Sequence, residues 1–265
     1  MRSVTRAVAA TAVVGSAALI IAACGSSTPS KTSSSSTLSP SQIPQLTSSS
    51  FNLSFSARSQ LKILASHGSG SVAAILPDTV SSTRYVEFDA PYLRESMLDA
   101  GLKSSQIIIQ NAQGSDATEY SDAQADITNG AKVLIMDGLD SGVGAKIESY
   151  AKAHGVPVID YDRLTLGGSR QYYVSFNNVY VGTLLGQGLV SCIKAWGVKS
   201  PQVMVMHGAV TDNNATLFAQ GYDAVLAPYF KNGTYKDVAN PAGTWTPDVA
   251  PVSYTHLTLP TILLV

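Results

Sequence analysis

The stretch "KVLIMDGLDSGVGAKIESYAKAHGVPVIDYDR", residues 132–163, decides the fold. It contains two apolar segments, 132–138 and 157–162, which are typical of buried strands. Between them the sequence predicts a helix over 141–154, closed by Gly155. Because parallel neighbouring strands need a long crossover connection, usually a helix, the stretch predicts a βαβ unit.

The same alternation continues along the chain. Further strands are predicted over 71–78, 106–112, 171–177, 202–208 and 235–240, and helices over 87–100, 116–129 and 213–229. Another helix carries an apolar face at three-and-four spacing, made of Val181, Leu184, Leu185, Gly188, Leu189, Cys192 and Ile193. Apolar strands that alternate with amphipathic helices indicate an α/β fold with a parallel sheet covered on both faces. We expect Cys192, on that apolar face, to be a small core residue rather than a nucleophile.

Composition excludes several classes of function. The 265 residues carry a formal net charge of −1, and only 13% of them are charged, so the chain has no electrostatic basis for binding nucleic acid. Its two cysteines do not form a disulfide framework, and its four histidines lack metal-ligand spacing. No strand is followed by a G-x-G-x-x-G or Walker motif, so a nucleotide cofactor has no support. We therefore predict neither a cofactor nor a metal.

The N-terminus is predicted to be a signal peptide over 1–23. Arg2 and Arg6 precede an apolar run that is too short to span a membrane and ends at Cys24. Residues 21–24 read "IAAC" and resemble the bacterial lipobox, whose cysteine carries a diacylglycerol. That resemblance implies an extracytoplasmic protein anchored to the cell membrane through a lipidated Cys24. The Ser/Thr-rich stretch that follows is predicted to be a flexible tether over 24–69.

Polar clusters follow three of the predicted strands. They are "LPDTVSSTRYVEFDA" (76–90), "DYDR" (160–163) and "HGAVTDNNATLFAQG" (207–221). Taken singly, each has a structural explanation: Asp212 as a helix N-cap, Arg84 as a surface charge, and Asp162 and Arg163 as a local ion pair. Because ligands of open α/β sheets bind beyond the carboxyl ends of the strands, the three clusters together predict a crevice for a polar ligand.

Four of these motifs carry a family resemblance. "TRYVEFD" (83–89), "VIDYDR" (158–163), "YYVSFNN" (172–178) and "TDNNATLFAQG" (211–221) resemble the D-xylose-binding group of bacterial periplasmic sugar-binding proteins. The resemblance implies a type I periplasmic binding protein fold, with two Rossmann-like lobes over 70–172 and 173–250 that close on a monosaccharide. It also implies delivery of that sugar to the membrane permease of an ATP-binding-cassette importer.

By this resemblance, seven residues fall at ligand positions: Arg84, Tyr85, Asp162, Arg163, Asn213, Asn214 and Trp245. The residue types suit a sugar, because guanidinium, carboxylate and amide groups pair with hydroxyls while aromatic rings stack on the C–H face. Trp245 is the weaker match, since the surrounding "NPAGTWTPDVA" departs from the family pattern.

The C-terminal residues break the pattern. "TWTPDVA" (244–250) is typical of a helix start, but "PVSYTHLTLPTILLV" (251–265) does not continue it. That tail resembles translated sequencing-adapter read-through, so we predict a non-native tail over 251–265 and an incomplete second lobe; the alternative is a genuine apolar strand.

Three other functions are compared with the sequence pattern. A sugar-sensing receptor for chemotaxis or signalling would share the fold. An enzyme acting on sugars would need a carboxylate pair at a defined separation, which Asp160 and Asp162 on one strand do not supply. A sugar-responsive transcription factor would carry a DNA-binding module where this chain has its predicted signal peptide.

Overall fold

The computed structural model describes residues 38–241, 243–248 and 251. The predicted signal peptide, Cys24 and residues 252–265 of the predicted tail lie outside the described residues. Within the described part of the chain, no helix combines the length and hydrophobicity that a membrane span requires.

The first lobe is built on a parallel five-stranded sheet in the order β2-β1-β3-β4-β5. The strands are β1 (Ser71–Leu76), β2 (Ile107–Asn111), β3 (Ala131–Met136), β4 (Val158–Tyr161) and β5 (Tyr172–Val174). The helices that follow the first three strands are α3 (Ala90–Asp99), α4 (Asp116–Thr128) and α5 (Ser141–Ala153). Helix α5 begins where the Asp140 carboxylate accepts hydrogen bonds from the Gly142 and Val143 amides, at 2.6 and 3.2 Å. The predicted βαβ unit is confirmed.

The core of this lobe lies between the sheet and the helices α4 and α5. Its buried members are Ala73, Ile75, Ala112, Ala123, Ile127, Ala131, Leu134, Met136, Ile147, Ala151, Val156 and Val158. Leu134 and Ile147 are fully buried, one from the sheet and one from α5. This packed layer makes the sheet a rigid base for the loops at its carboxyl edge.

Two short helices, α1 (Ala57–Gln60) and α2 (Lys62–Ala65), precede the sheet. Ala57 is buried, and the Arg58 guanidinium lies 3.2 Å from the Asp99 carboxylate of α3. The predicted tether over 24–69 therefore extends too far, because its last residues pack on the first lobe. Strand β5 belongs to the first sheet, so this lobe also ends slightly later than residue 172.

The second lobe contains a helix pair and a small sheet. Its elements are α6 (Asn178–Ala195), β6 (Gln202–Met204), α7 (Asn213–Lys231) and β7 (Lys236–Ala239), and β6 pairs with β7 in parallel. The helices approach closely at Gly182 and Gly221, where an added Cβ would overlap the backbone of the facing helix.

The predicted apolar face of α6 is confirmed only in part, because Ile193 is buried and Leu189 packs against the core of the second lobe, whereas other members of the face do not. Leu184 and Leu185 are 47% and 57% exposed, and Cys192 is also exposed rather than part of the core. The contact side of α6 is instead marked by Gly182 and Gly186, which are buried. The observed contact side therefore overlaps the predicted face at Leu189 and Ile193 but is turned toward the two glycines, which a hydrophobic pattern does not mark as contact residues.

Candidate functional site

A cavity of about 150 Å³ lies where the carboxyl edge of the first sheet faces the N-terminus of α7. The first lobe lines it with Ser81, Ser82, Arg84, Tyr85, Asp162 and Arg163, and the remainder of its lining is Phe176, Asp212, Asn214, Phe218 and Trp245. The volume is below that of typical pockets for drug-sized ligands, so the cavity suits a smaller molecule.

Arg84 and Tyr85 are placed by the π-helical turn Tyr85–Asp89, which leads into α3. Turns of this kind are rare and often occur at functional sites. The Arg84 Nε donates to Asp89 Oδ2 at 2.8 Å, and its Nη2 lies 2.7 Å from Asp162 Oδ2. Arg84 is one third exposed, so its guanidinium borders the cavity.

Arg163 is held more tightly, with a side chain that is only 8% exposed. Its Nη2 donates to the Tyr85 hydroxyl at 3.0 Å, and its Nη1 donates to the Gly138 carbonyl at 3.3 Å. Its Nε lies 3.2 Å from Asp212 Oδ2 and 3.5 Å from Asp137 Oδ1. These contacts fix the guanidinium before any ligand arrives, which lowers the entropy cost of binding.

Asp162 joins the two lobes. Its backbone has φ of 65°, a left-handed conformation that aspartate tolerates better than most residues. The Asp162 carbonyl accepts from the Ser175 hydroxyl at 2.7 Å, and its Oδ1 accepts from Asn214 Nδ2 at 3.0 Å. Asn178 of α6 in turn donates to Asn214 Oδ1 at 3.1 Å.

Asp212 has two roles in the structure. Its Oδ1 accepts from the Asn214 amide at 2.8 Å, so it caps α7 as the structural explanation requires. Its Oδ2 accepts from the Trp245 indole N–H at 2.8 Å and pairs with Arg163. The cap and the lining of the cavity are therefore made by opposite oxygens of one carboxylate.

Acidic groups outnumber basic ones around the cavity. Four carboxyl groups (Asp89, Asp137, Asp162 and Asp212) face the guanidiniums of Arg84 and Arg163. Asp137 is fully buried, and burial raises its pKa well above the usual range although Arg163 opposes the shift. Burial also raises the pKa of Tyr85, so its hydroxyl keeps its proton and can donate. Such a site offers donors and acceptors without a positive surplus that would attract an anion.

Six of the seven predicted site residues border this cavity: Arg84, Tyr85, Asp162, Arg163, Asn214 and Trp245. Asn213 does not. It lines a narrow crevice with Gly138, Asp140 and Thr165 that shares Arg163 and Asp212 with the cavity, because successive residues at a helix start point in different directions. Asp160, at the head of the "DYDR" cluster, is fully buried away from the cavity and accepts a hydrogen bond from the Thr165 amide.

Sequence reasoning missed five residues of the lining: Ser81, Ser82, Phe176, Asp212 and Phe218. Phe218 was not predicted, because the sequence of α7 does not separate apolar residues that face the core from those that face the cavity. Phe176 lies in the "YYVSFNN" motif, so the family resemblance of that motif could have identified it. Among the described residues, no group of three His, Cys, Asp or Glu side chains is placed to hold a metal ion.

Comparison with known proteins assigns the chain to a family. A family model described as a periplasmic binding protein domain matches residues 73–252. The D-xylose-binding periplasmic protein of Escherichia coli (strain K12) is 31% identical over 147 residues, which are 55% of this chain and 43% of that protein. A multiple sugar-binding periplasmic protein of Azospirillum brasilense, SbpA, is 30% identical over 157 residues, 58% of this chain and 43% of that protein.

A solved structure shows the same architecture. The carbohydrate transporter solute binding protein from Chloroflexus aurantiacus, in complex with D-glucose, is 35% identical with a TM-score of 0.57, and the match covers 64% of this chain and 48% of that one. The chain thus spans less than half the length of these three proteins. This chain belongs to the periplasmic binding protein family, with the type I fold that the sequence predicts.

Proposed function

We propose that the protein captures a neutral monosaccharide, xylose or a similar sugar, between its two lobes and acts as a binding protein rather than an enzyme. The observation that carries this proposal is the cavity itself, where Arg84 and Arg163 converge with Asp162, Asp212 and Asn214. Each sugar hydroxyl both donates and accepts, so carboxylate and guanidinium groups can be satisfied together. The names of the relatives, which are sugar-binding proteins, support the same class of ligand.

Aromatic side chains support a ring-shaped ligand. Phe176 and Phe218 stack with ring centroids 6.3 Å apart, and Phe218 meets Trp245 edge to face at 6.4 Å. Together they give the cavity an apolar part of its lining next to its charged groups. A pyranose ring, with a C–H face and a rim of hydroxyls, matches that division.

Charge favours a neutral sugar over its acid. Because four carboxyl groups surround two guanidiniums, a ligand carboxylate would meet Asp162 and Asp212 as well as the arginines. We expect calorimetry on the full-length protein to show binding of D-xylose or D-glucose and at least about a hundredfold weaker binding of the corresponding sugar acid, a difference of about 2.7 kcal/mol. Tighter binding of the acid would contradict the proposal.

Two adjacent asparagines give a matched test of the site. Asn214 borders the cavity, whereas Asn213 does not. We expect Asn214→Ala to weaken sugar binding by up to about tenfold, because a hydrogen bond between neutral groups contributes about 0.5–1.5 kcal/mol. Asn213→Ala serves as the control and keeps the original affinity. Equal effects of the two substitutions would place the sugar elsewhere.

The cellular role is part of the proposal. The sugar is delivered to the membrane permease of an ATP-binding-cassette importer, and a lipidated Cys24 holds the protein outside the cell membrane. The family supports an extracytoplasmic location, and the "IAAC" residues 21–24 support the anchor. Cys24→Ala is expected to release the expressed protein from membranes into the soluble fraction. Unchanged membrane partitioning of Cys24→Ala would refute the lipid anchor without affecting the sugar site.

A further inference from the structure

The loop over 162–170 connects β4 to β5 and carries Arg163 into the cavity. Three hydrogen bonds hold the loop on its inner side. The Thr165 amide donates to Asp160 Oδ2 at 2.7 Å, the Leu166 amide donates to Ser141 Oγ at 3.1 Å, and Arg170 Nη1 donates to the Thr165 carbonyl at 2.7 Å. None of these groups borders the cavity, so they can act on a ligand only through the loop.

Beneath the loop lie two buried carboxyl groups and one arginine. Asp160 and Glu148 are 0% and 1% exposed, and the Arg170 side chain is 25% exposed. Arg170 Nε lies 3.5 Å from Asp160 Oδ2, and its Nη1 lies 3.9 Å from Glu148 Oε1. Among the described residues, both Glu148 oxygens and Asp160 Oδ1 have no hydrogen-bond donor. Arg170 brings one positive charge to two buried acids and lies too far from both for good hydrogen bonds, whereas a proton on one carboxyl would supply the missing donor.

The loop rests directly on helix α5. A Cβ added at Gly168 would overlap the Glu148 carboxylate, and one added at Gly144 would lie 2.6 Å from Thr165 Oγ1. Because no space separates the loop from the helix, a displacement of Glu148 must displace the loop.

We propose that Glu148, Asp160 and Arg170 are positioning residues that fix the loop over 162–170, and through it Arg163, and that they do so most firmly when Asp160 carries a proton. The effect on the loop follows from the contacts alone. The effect on sugar affinity rests in addition on the proposed function.

The proton makes the loop sensitive to pH. Burial, together with the neighbouring Glu148, raises the pKa of Asp160 to about 7, although the Thr165 amide and Arg170 oppose the shift. The charged groups that face Asp160 are Glu148 from α5 and Arg170 from the loop, while its partners on β3 and β5 are Met136 and Tyr173. The folded protein therefore holds the proton below about pH 7 and loses it above, when two negative charges share one arginine.

Nuclear magnetic resonance of the Thr165 amide tests the loop directly. In the full-length protein we expect this resonance to titrate with a midpoint near pH 7. Protection from hydrogen exchange of the Leu166 amide, which donates to Ser141 rather than to Asp160, is expected to fall above that pH after correction for the intrinsic rate. Glu148→Gln supplies an amide donor and cannot ionise. In this variant the midpoint of the Thr165 resonance is therefore expected to shift to lower pH. Glu95→Gln, an exposed change on α3, keeps the original midpoint. A midpoint unchanged by Glu148→Gln would overturn the proposal.

Sugar affinity gives the second measurement. From about pH 6 to about 8.5 we expect the dissociation constant to rise about fivefold or more, the usual size of coupling between two sites, and the rise to be absent in Glu148→Gln. A pH dependence that is equal in both proteins would overturn the link to Arg163. If no sugar binds at any pH while Thr165 titrates as expected, the proposed function fails and the role of Glu148 in fixing the loop stands.

Discussion

The two lobes of this protein differ in how they are held together. Among the described residues, the first lobe has a five-stranded sheet and a cluster of twelve buried apolar residues, whereas the second has a two-stranded sheet and a cluster of four, Ile193, Val203, Leu226 and Tyr235. The second lobe relies instead on backbone contact between α6 and α7. The first lobe accordingly supplies the fixed arginines of the site, and the second supplies polar groups from the start of one helix.

A core substitution in each lobe measures this difference. Leu134 and Leu226 are both buried, at 0% and 2% exposure. Leucine to alanine changes cost about 2–5 kcal/mol, depending on how far the surroundings collapse into the cavity. We expect Leu134→Ala to lie near the upper limit and Leu226→Ala near the lower one, as measured by denaturant unfolding. Equal losses would show that the small cluster packs as rigidly as the large one.

A single substitution in the first lobe is expected to remove much of the sugar affinity. We expect Arg163→Ala to weaken sugar binding roughly tenfold to a thousandfold, because charge-assisted hydrogen bonds contribute about 1.5–3 kcal/mol each. Arg94→Ala, an exposed arginine on α3, is the control for charge. Calorimetry that gives the original affinity for a folded Arg163→Ala protein would remove Arg163 from the site.

The helix contact of the second lobe has its own matched pair. A methyl group at Gly182 would overlap the Phe218 carbonyl, whereas Gly188, on the same helix, has open space around its Cα. We expect Gly182→Ala to lower the free energy of unfolding by about 1–3 kcal/mol. Gly188→Ala should raise it by about 0.5–1 kcal/mol, because alanine favours the helix. Thermal denaturation that shows stabilisation by both changes would contradict the close contact.

The pH dependence of stability should come from the first lobe. Burial raises the pKa of Glu119 to about 8, although hydrogen bonds from the Leu139 amide oppose the shift. A carboxyl whose pKa is raised on folding stabilises the protein fully below its unfolded value, and that contribution is lost as pH rises through the folded value. Stability should therefore fall between about pH 5 and 8, and Glu119→Gln should flatten the fall. An unchanged slope in melting temperature would show that Glu119 is not protonated in the folded state.

The smallest effect is expected at Cys192. Because it is exposed, Cys192→Ser should change the free energy of unfolding by less than about 0.5 kcal/mol, and the native thiol should react at once with a maleimide reagent. Slow labelling of the folded protein would show that Cys192 is buried in the core, as the sequence pattern predicts.

Sequence patterning predicted the alternation of strands and helices, because each apolar strand and each capped helix carries a local signal. The same patterning was only partly right for α6, where Ile193 is buried as predicted but the backbone contact at Gly182 leaves Leu184 and Leu185 exposed. Arg84, Tyr85, Asp162 and Arg163 share one cavity because the parallel strands before them end at one edge of the sheet, whereas Asn214 and Trp245 reach it from the second lobe. Asp137 was not singled out, and Asp212 was assigned only as a helix N-cap, because a single carboxylate after a strand or before a helix has several ordinary structural explanations.

Trp245 gives the molecule an optical property. Its indole borders the cavity, donates to Asp212 and packs against Gly208, whereas the second tryptophan, Trp196, is 75% exposed. The fluorescence emission of an indole depends on the polarity of its surroundings, so water leaving the cavity changes the emission of Trp245. Trp196 contributes a constant background. Occupancy of the cleft can thus be followed by intrinsic fluorescence, with no dye attached and no residue replaced.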